Sequence, residues 1–126
     1  MDDVVTTRGA FAAYVDDLQA SGRLTFTREE AMLALGVSAN ALKQSVLRLA
    51  ARRRVVSVRL GFYVIVPLEH REAGLPPLDR WVQDLLRFHG ARGEIMRVDE
   101  GLATVRADKR LRPIEVDGLM VTFQAT

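Results

Sequence analysis

Six cationic side chains and no anionic one fall between Ser38 and Tyr63: Lys43, Arg48, Arg52, Arg53, Arg54 and Arg59. Asn40 and Gln44 lie among them, four residues apart, with Lys43 and Arg48 at matching helical spacing. An amide side chain pairs bidentately with the edge of adenine, and a lysine or arginine reaches guanine or phosphate. Residues 64–126 set nine basic against ten acidic residues, and the whole 126-residue chain carries only +2. A focused positive stretch on a near-neutral chain is the charge distribution of a polyanion-binding surface. The plainer alternative is a solvated helix face whose terminal arginines complement the macrodipole.

Other chemistry has little to stand on. The chain has no cysteine, so disulfides, thiolate nucleophiles and cysteine-ligated zinc or iron–sulfur sites are excluded, which fits a reducing cytoplasm. His70 and His89 are the two histidines, and neither has a second histidine at ligand spacing. No dinucleotide fingerprint, phosphate-binding loop or nucleophile elbow occurs. Gly90-Ala91-Arg92-Gly93 reads as a short basic linker, and the pairs Asp16-Asp17 and Asp99-Glu100 are adjacent, so neither pair faces one site from a regular element. These observations predict a protein that is not an enzyme and uses no cofactor or metal. The mix of 48% apolar and 27% charged residues is that of a folded globular domain. No apolar run approaches the ~20 residues of a membrane span. The acidic start Met1-Asp2-Asp3 has no apolar segment of a secretory signal.

Local signals place the elements that would carry the cations. A first helix is expected over Thr7–Ser21, with Phe11, Tyr14, Val15 and Leu18 on one face and Gly22 as its stop. Arg23–Phe26 alternates as a short strand does. Thr27-Arg28-Glu29-Glu30 is a capping box opening a helix over Arg28–Leu35. Gly36 permits a sharp turn, and Ser38 caps a helix over Ala39–Arg53 whose buried stripe is Leu42, Val46 and Leu49. Asn40, Lys43, Gln44, Leu47 and Arg48 then form its outer face. Strands over Val55–Val58 and Phe62–Val66 flank a three-residue turn Arg59-Leu60-Gly61, and Pro67 ends the second.

Pro76-Pro77 breaks the chain before a helix over Leu78–His89, with Trp81 on its apolar face and Gly90 after it. Strands are expected over Glu94–Val98, Leu102–Ala107, Leu111–Val116 and Leu119–Gln124. Pro113 sends its strand to an edge, and Asp117-Gly118 turns a hairpin. The predicted fold class is α+β: an N-terminal winged helix–turn–helix over residues 1–67, then a helix and a small antiparallel β region over residues 68–126.

Two short helices bent at Gly36 and followed by a hairpin spell that winged helix–turn–helix. The small Ala31 lets the helices cross closely, Val37 plugs the gap between them, and Ser38 satisfies amides at the start of the recognition helix. Asn40, Lys43, Gln44 and Arg48 would read the major groove. Arg52, Arg53 and Arg54 would hold phosphates at the far end, and Arg59 at the wing tip would take a phosphate or a narrow minor groove.

Three phrases carry a family resemblance: Gly22-Arg-Leu-Thr-Phe-Thr-Arg-Glu-Glu30, Leu35-Gly-Val-Ser-Ala-Asn-Ala-Leu42 and Gly61-Phe-Tyr-Val-Ile-Val-Pro67. In these the chain resembles the AbiEi family of antitoxins of type IV toxin–antitoxin and phage-defence systems, over about residues 7–90. The resemblance implies a winged helix–turn–helix that represses its own promoter. It also implies a functional link to a nucleotidyltransferase-like toxin, which such antitoxins counteract without needing a tight complex. The family's longer C-terminal part is matched only by Lys109-Arg-Leu-Arg-Pro-Ile114 and the strand after it, and Leu60 stands at the wing where another basic residue is expected.

The function expected is therefore a cytoplasmic, DNA-binding transcriptional repressor, an antitoxin or autoregulator on double-stranded operator DNA with inverted half-sites, with no membrane partner. If about six phosphates are neutralised, affinity falls roughly 10³-fold between 50 and 200 mM salt. The rival expectation is a protein-interaction module, docking through the winged helix or through the C-terminal sheet, where Leu119, Val121 and Phe123 share a face.

Overall fold

The computed structural model describes residues 3–126; Met1 and Asp2, part of the acidic start, lie outside the described residues. Helix α1 spans Asp3–Ala20, beginning earlier than expected. It stops where the sequence places the stop: Gly22 is left-handed (φ 90°) and the Arg23 amide donates back to the Leu18 carbonyl at 2.9 Å. Strand β1, Thr25–Thr27, leads into α2, Arg28–Leu35. The Thr27 hydroxyl accepts from the Glu30 amide and the Glu30 carboxylate accepts from the Thr27 amide, completing the capping box. Gly36 (φ 64°) closes α2 with its amide on the Met32 carbonyl.

Helix α3 spans Ala39–Ala51, two residues shorter than expected. Its end is a Schellman-type turn: the Arg53 amide bonds the Ala50 carbonyl and the Arg54 amide bonds the Leu49 carbonyl. Arg53 occupies the left-handed position (φ 59°) that glycine usually takes. Strands β2, Val55–Arg59, and β3, Phe62–Ile65, form the hairpin. Arg59 pairs with Phe62 after a bulge beyond Ser57, so the tip is Leu60-Gly61 alone and not the three-residue turn expected. β1 adds to the other edge of β3, giving an antiparallel sheet in the order β1–β3–β2.

The expected helix over Leu78–His89 is divided. A 3₁₀ turn covers Leu78–Arg80, Trp81 leaves helical geometry (φ −137°), and α4 spans Val82–Phe88. The Trp81 indole is buried and donates to the Pro76 carbonyl at 3.0 Å, which ties it to the chain just before the break.

The second sheet contains β4 (Gly93–Asp99), β5 (Leu102–Ala107), β6 (Ile114–Val116) and β7 (Leu119–Ala125) in the order β4–β5–β7–β6. It is mixed, which corrects the expected antiparallel region: β5 and β7 run parallel, from Leu102 opposite Met120 to Ala107 opposite Ala125. Pro113 at the head of β6 has no amide to donate, so the short β6 suits the outer edge and the longer β7 takes the inner place. Asp117 (φ 46°) and Gly118 (φ 78°) make the tight turn between them.

Two apolar cores meet across the hairpin. Tyr63 and Ile65 face Phe11, Val15, Phe26, Leu42, Val46 and Leu49. Phe62 and Val64, one residue out of phase, face Trp81, Val82, Leu85, Leu86, Val105 and Val121. All four residues of β3 are buried, as in a strand covered on both faces. The hairpin is thus a shared wall, and the core of residues 68–126 reaches back across Pro67 to Val58, Phe62 and Val64. Among the described residues no helix is long and apolar enough to cross a membrane.

Candidate nucleic-acid interface

The presentation of α3 starts with its cap. The Ser38 hydroxyl accepts from the Ala41 amide at 3.1 Å, so the first turn meets solvent with one donor already satisfied. Leu42, Ser45, Val46 and Leu49 are buried, and each of the three aliphatic side chains contributes roughly 1.5–3 kcal/mol to holding the helix down. The opposite face is open: Asn40, Lys43, Gln44, Leu47 and Arg48 are all exposed. Arg48 donates to the buried Ser45 hydroxyl at 3.1 Å, which steadies the guanidinium beside the helix.

A groove of about 540 Å³ lies between the N-terminal half of α3 and the hairpin tip, with Arg28, Asn40, Lys43, Leu47, Leu60 and Tyr63 in its walls. No carboxylate lines it, though Glu29 stands beside it, 3.6 Å from the Arg28 guanidinium. Arg28 lies outside the acid-free stretch that begins at Ser38, so local charge does not announce it. The tie that brings it in is long-range, the Arg28 amide donating to the Gly61 carbonyl at 2.9 Å across the hairpin tip. Gln44 and Arg48 sit on the flank of α3 away from this groove.

The far-end arginines separate. Arg52 and Arg53 are exposed just beyond the end of α3. Arg54 is not free for phosphate as expected: its guanidinium pairs with Asp16 of α1 and is largely covered. Arg59 is likewise not at the tip. It folds against the second half, donating to His89 Nε2 at 3.1 Å, to the Arg112 carbonyl and to the Pro113 carbonyl at 3.4 Å, with its guanidinium 5.9 Å from the Phe123 ring centre. The cause is the covered outer face of the hairpin, which turns β2 toward α4 and the segment before β6. Burial, with Arg112 beside it, pulls the Arg59 pKa below its ordinary value.

The alternating face of β7 is spent internally. Val121 is buried in the Trp81 core, and the half-buried Leu119 and Phe123 pack against it. Among the described residues no three His, Asp or Glu side chains gather as metal ligands would. No family model, curated protein or solved structure matches the chain.

Proposed function

We propose that residues up to Pro67 form a winged helix–turn–helix that binds duplex DNA, with α3 as recognition helix and the β2–β3 hairpin as wing. The carrying observation is the open, acid-free face of α3: Asn40, Lys43, Gln44 and Arg48 are exposed together, and Arg28 and Lys43 share a groove with the hairpin tip. Asn40 and Gln44 supply base-edge amides, Lys43 and Arg48 reach guanine or phosphate, and Arg28, Arg52 and Arg53 supply further phosphate contacts. The protein then acts as a non-catalytic transcriptional repressor in the cytoplasm. Its resemblance to the AbiEi antitoxins extends this to autoregulation beside a nucleotidyltransferase-like toxin gene.

One observation favours a second reading, a docking site for a protein partner. Leu47 and Leu60 are 53% and 82% exposed and both line the groove. Leu60→Lys separates the two. Under the DNA reading the added cation at the wing tip tightens duplex binding several-fold in fluorescence anisotropy. Under the docking reading it leaves duplex binding unchanged, and that result contradicts the DNA proposal.

A further inference from the structure

On the far side of the hairpin tip lies a second cleft, of about 480 Å³, walled by Arg59, Leu60, His89, Arg110 and Arg112, with Phe88 at its base. No acidic residue lines it, and among the described residues no ion pair engages Arg59, Lys109, Arg110 or Arg112. Lys109 lies beside it, its ammonium donating to the His89 carbonyl at 3.0 Å. The crowding of positive charge has a cost. His89 is held below the ordinary imidazole range by burial and by Arg59 and Lys109, and Arg59 is itself held down by burial and Arg112. An anion placed among these groups relieves that repulsion. Leu60 lines both this cleft and the α3 groove, so the two adjoin at the hairpin tip.

We propose that this cleft is a second phosphate-binding site, in which Arg110 and Arg112 take backbone phosphates of the same duplex that α3 reads. The inference rests on the DNA-binding reading of α3. Arg59 acts here as a positioning residue: its bonds to the Arg112 and Pro113 carbonyls anchor the loop that carries the two exposed arginines. His89, accepting from Arg59, holds the guanidinium in that orientation. Lys109–Arg112 thereby becomes a second contact element, tied to the hairpin through Arg59.

The test is the salt dependence of binding to a pool of random 30-base-pair duplexes, for the full chain and for the double variant Arg110→Ala/Arg112→Ala. Both side chains are exposed, and the Arg59 bond uses a backbone carbonyl, so the variant keeps the fold. With about four contacts from the α3 side and two from the cleft, wild-type affinity falls about 10³-fold between 50 and 200 mM salt, and the double variant's only about 10²-fold. The His89 ring resonances report occupancy, and the expected result is a titration midpoint that moves up when duplex is added. An unchanged salt slope in the double variant overturns the proposal. So does a response of His89 to inorganic phosphate with none to duplex, which marks a free-anion site. If Lys43→Ala leaves duplex binding intact while the double variant loses it, the cleft stands and the α3 reading fails.

Discussion

On the proposed DNA reading, single residues separate base reading from charge. Gln44 is exposed on α3 and carries an amide, whereas Arg53 lies past the helix end and carries only charge toward solvent. Gln44→Ala therefore relaxes preference at one base pair, at roughly 1–3 kcal/mol of discrimination, in selection from a duplex pool. Arg53→Gly does something different. It weakens all duplexes alike, and it stabilises the fold by about 1 kcal/mol in urea unfolding, because glycine accepts the left-handed backbone that arginine strains to hold. An Arg53→Gly protein less stable than wild type contradicts this account of the turn.

His89 sets a pH response of predictable sign. A protonated imidazole has no lone pair to accept the Arg59 Nε–H, and burial, Arg59 and Lys109 all disfavour the charged ring. The unfolded chain takes up a proton near pH 6.5 that the folded chain resists. Stability is thus full above that pH and is lost as pH falls below it. His89→Gln, which keeps an acceptor but cannot titrate, flattens the fall in melting temperature between about pH 7 and pH 5. An equally steep fall in the variant shows that another group is responsible.

Among the elements, those set by neighbouring residues were legible in the sequence. The Thr27–Glu30 box, Gly36 and Ser38 are signals within one turn, and α2 and the start of α3 fall where they place them. What escaped depends on distant partners. Nothing local announces that Arg54 meets Asp16, 38 residues away, or that Arg59 meets His89, 30 residues away. The end of α3 was missed because arginine sits where glycine gives the usual signal. The unbroken apolar run Phe62–Val66 did carry a readable sign, since a strand buried on both faces has no polar alternation. The second sheet has a comparable hidden constraint. A Cβ on Gly93 would lie 2.0 Å from the Arg106 carbonyl oxygen, so Gly93→Ala forces β4 from β5 and costs about 1–3 kcal/mol. Thermal unfolding checks it, and a melting temperature equal to wild type contradicts the close approach.

At the scale of the whole molecule, the hairpin binds the two halves into one arrangement. Its inner face completes the core beneath α3, and its outer face completes the core around Trp81. The Thr25 hydroxyl donates to the Asp84 carboxylate at 2.7 Å and adds a polar tie between the same halves. The hairpin is therefore pre-set against α3, so that on the proposed reading little ordering remains to be done on binding. The same packing diverts Arg54 and Arg59 from the α3 surface and leaves Arg28, Lys43, Arg48, Arg52 and Arg53 as its outward cations.

The central claim is that this outward face of α3 lies along a duplex and reads it. Selection of bound sequences from a random duplex pool at 50 and 200 mM salt tests it most directly. The account predicts one enriched motif, lost in Asn40→Ala/Gln44→Ala, and total binding that falls at least about 100-fold at the higher salt. A pool that emerges without enrichment, with binding indifferent to salt, contradicts it.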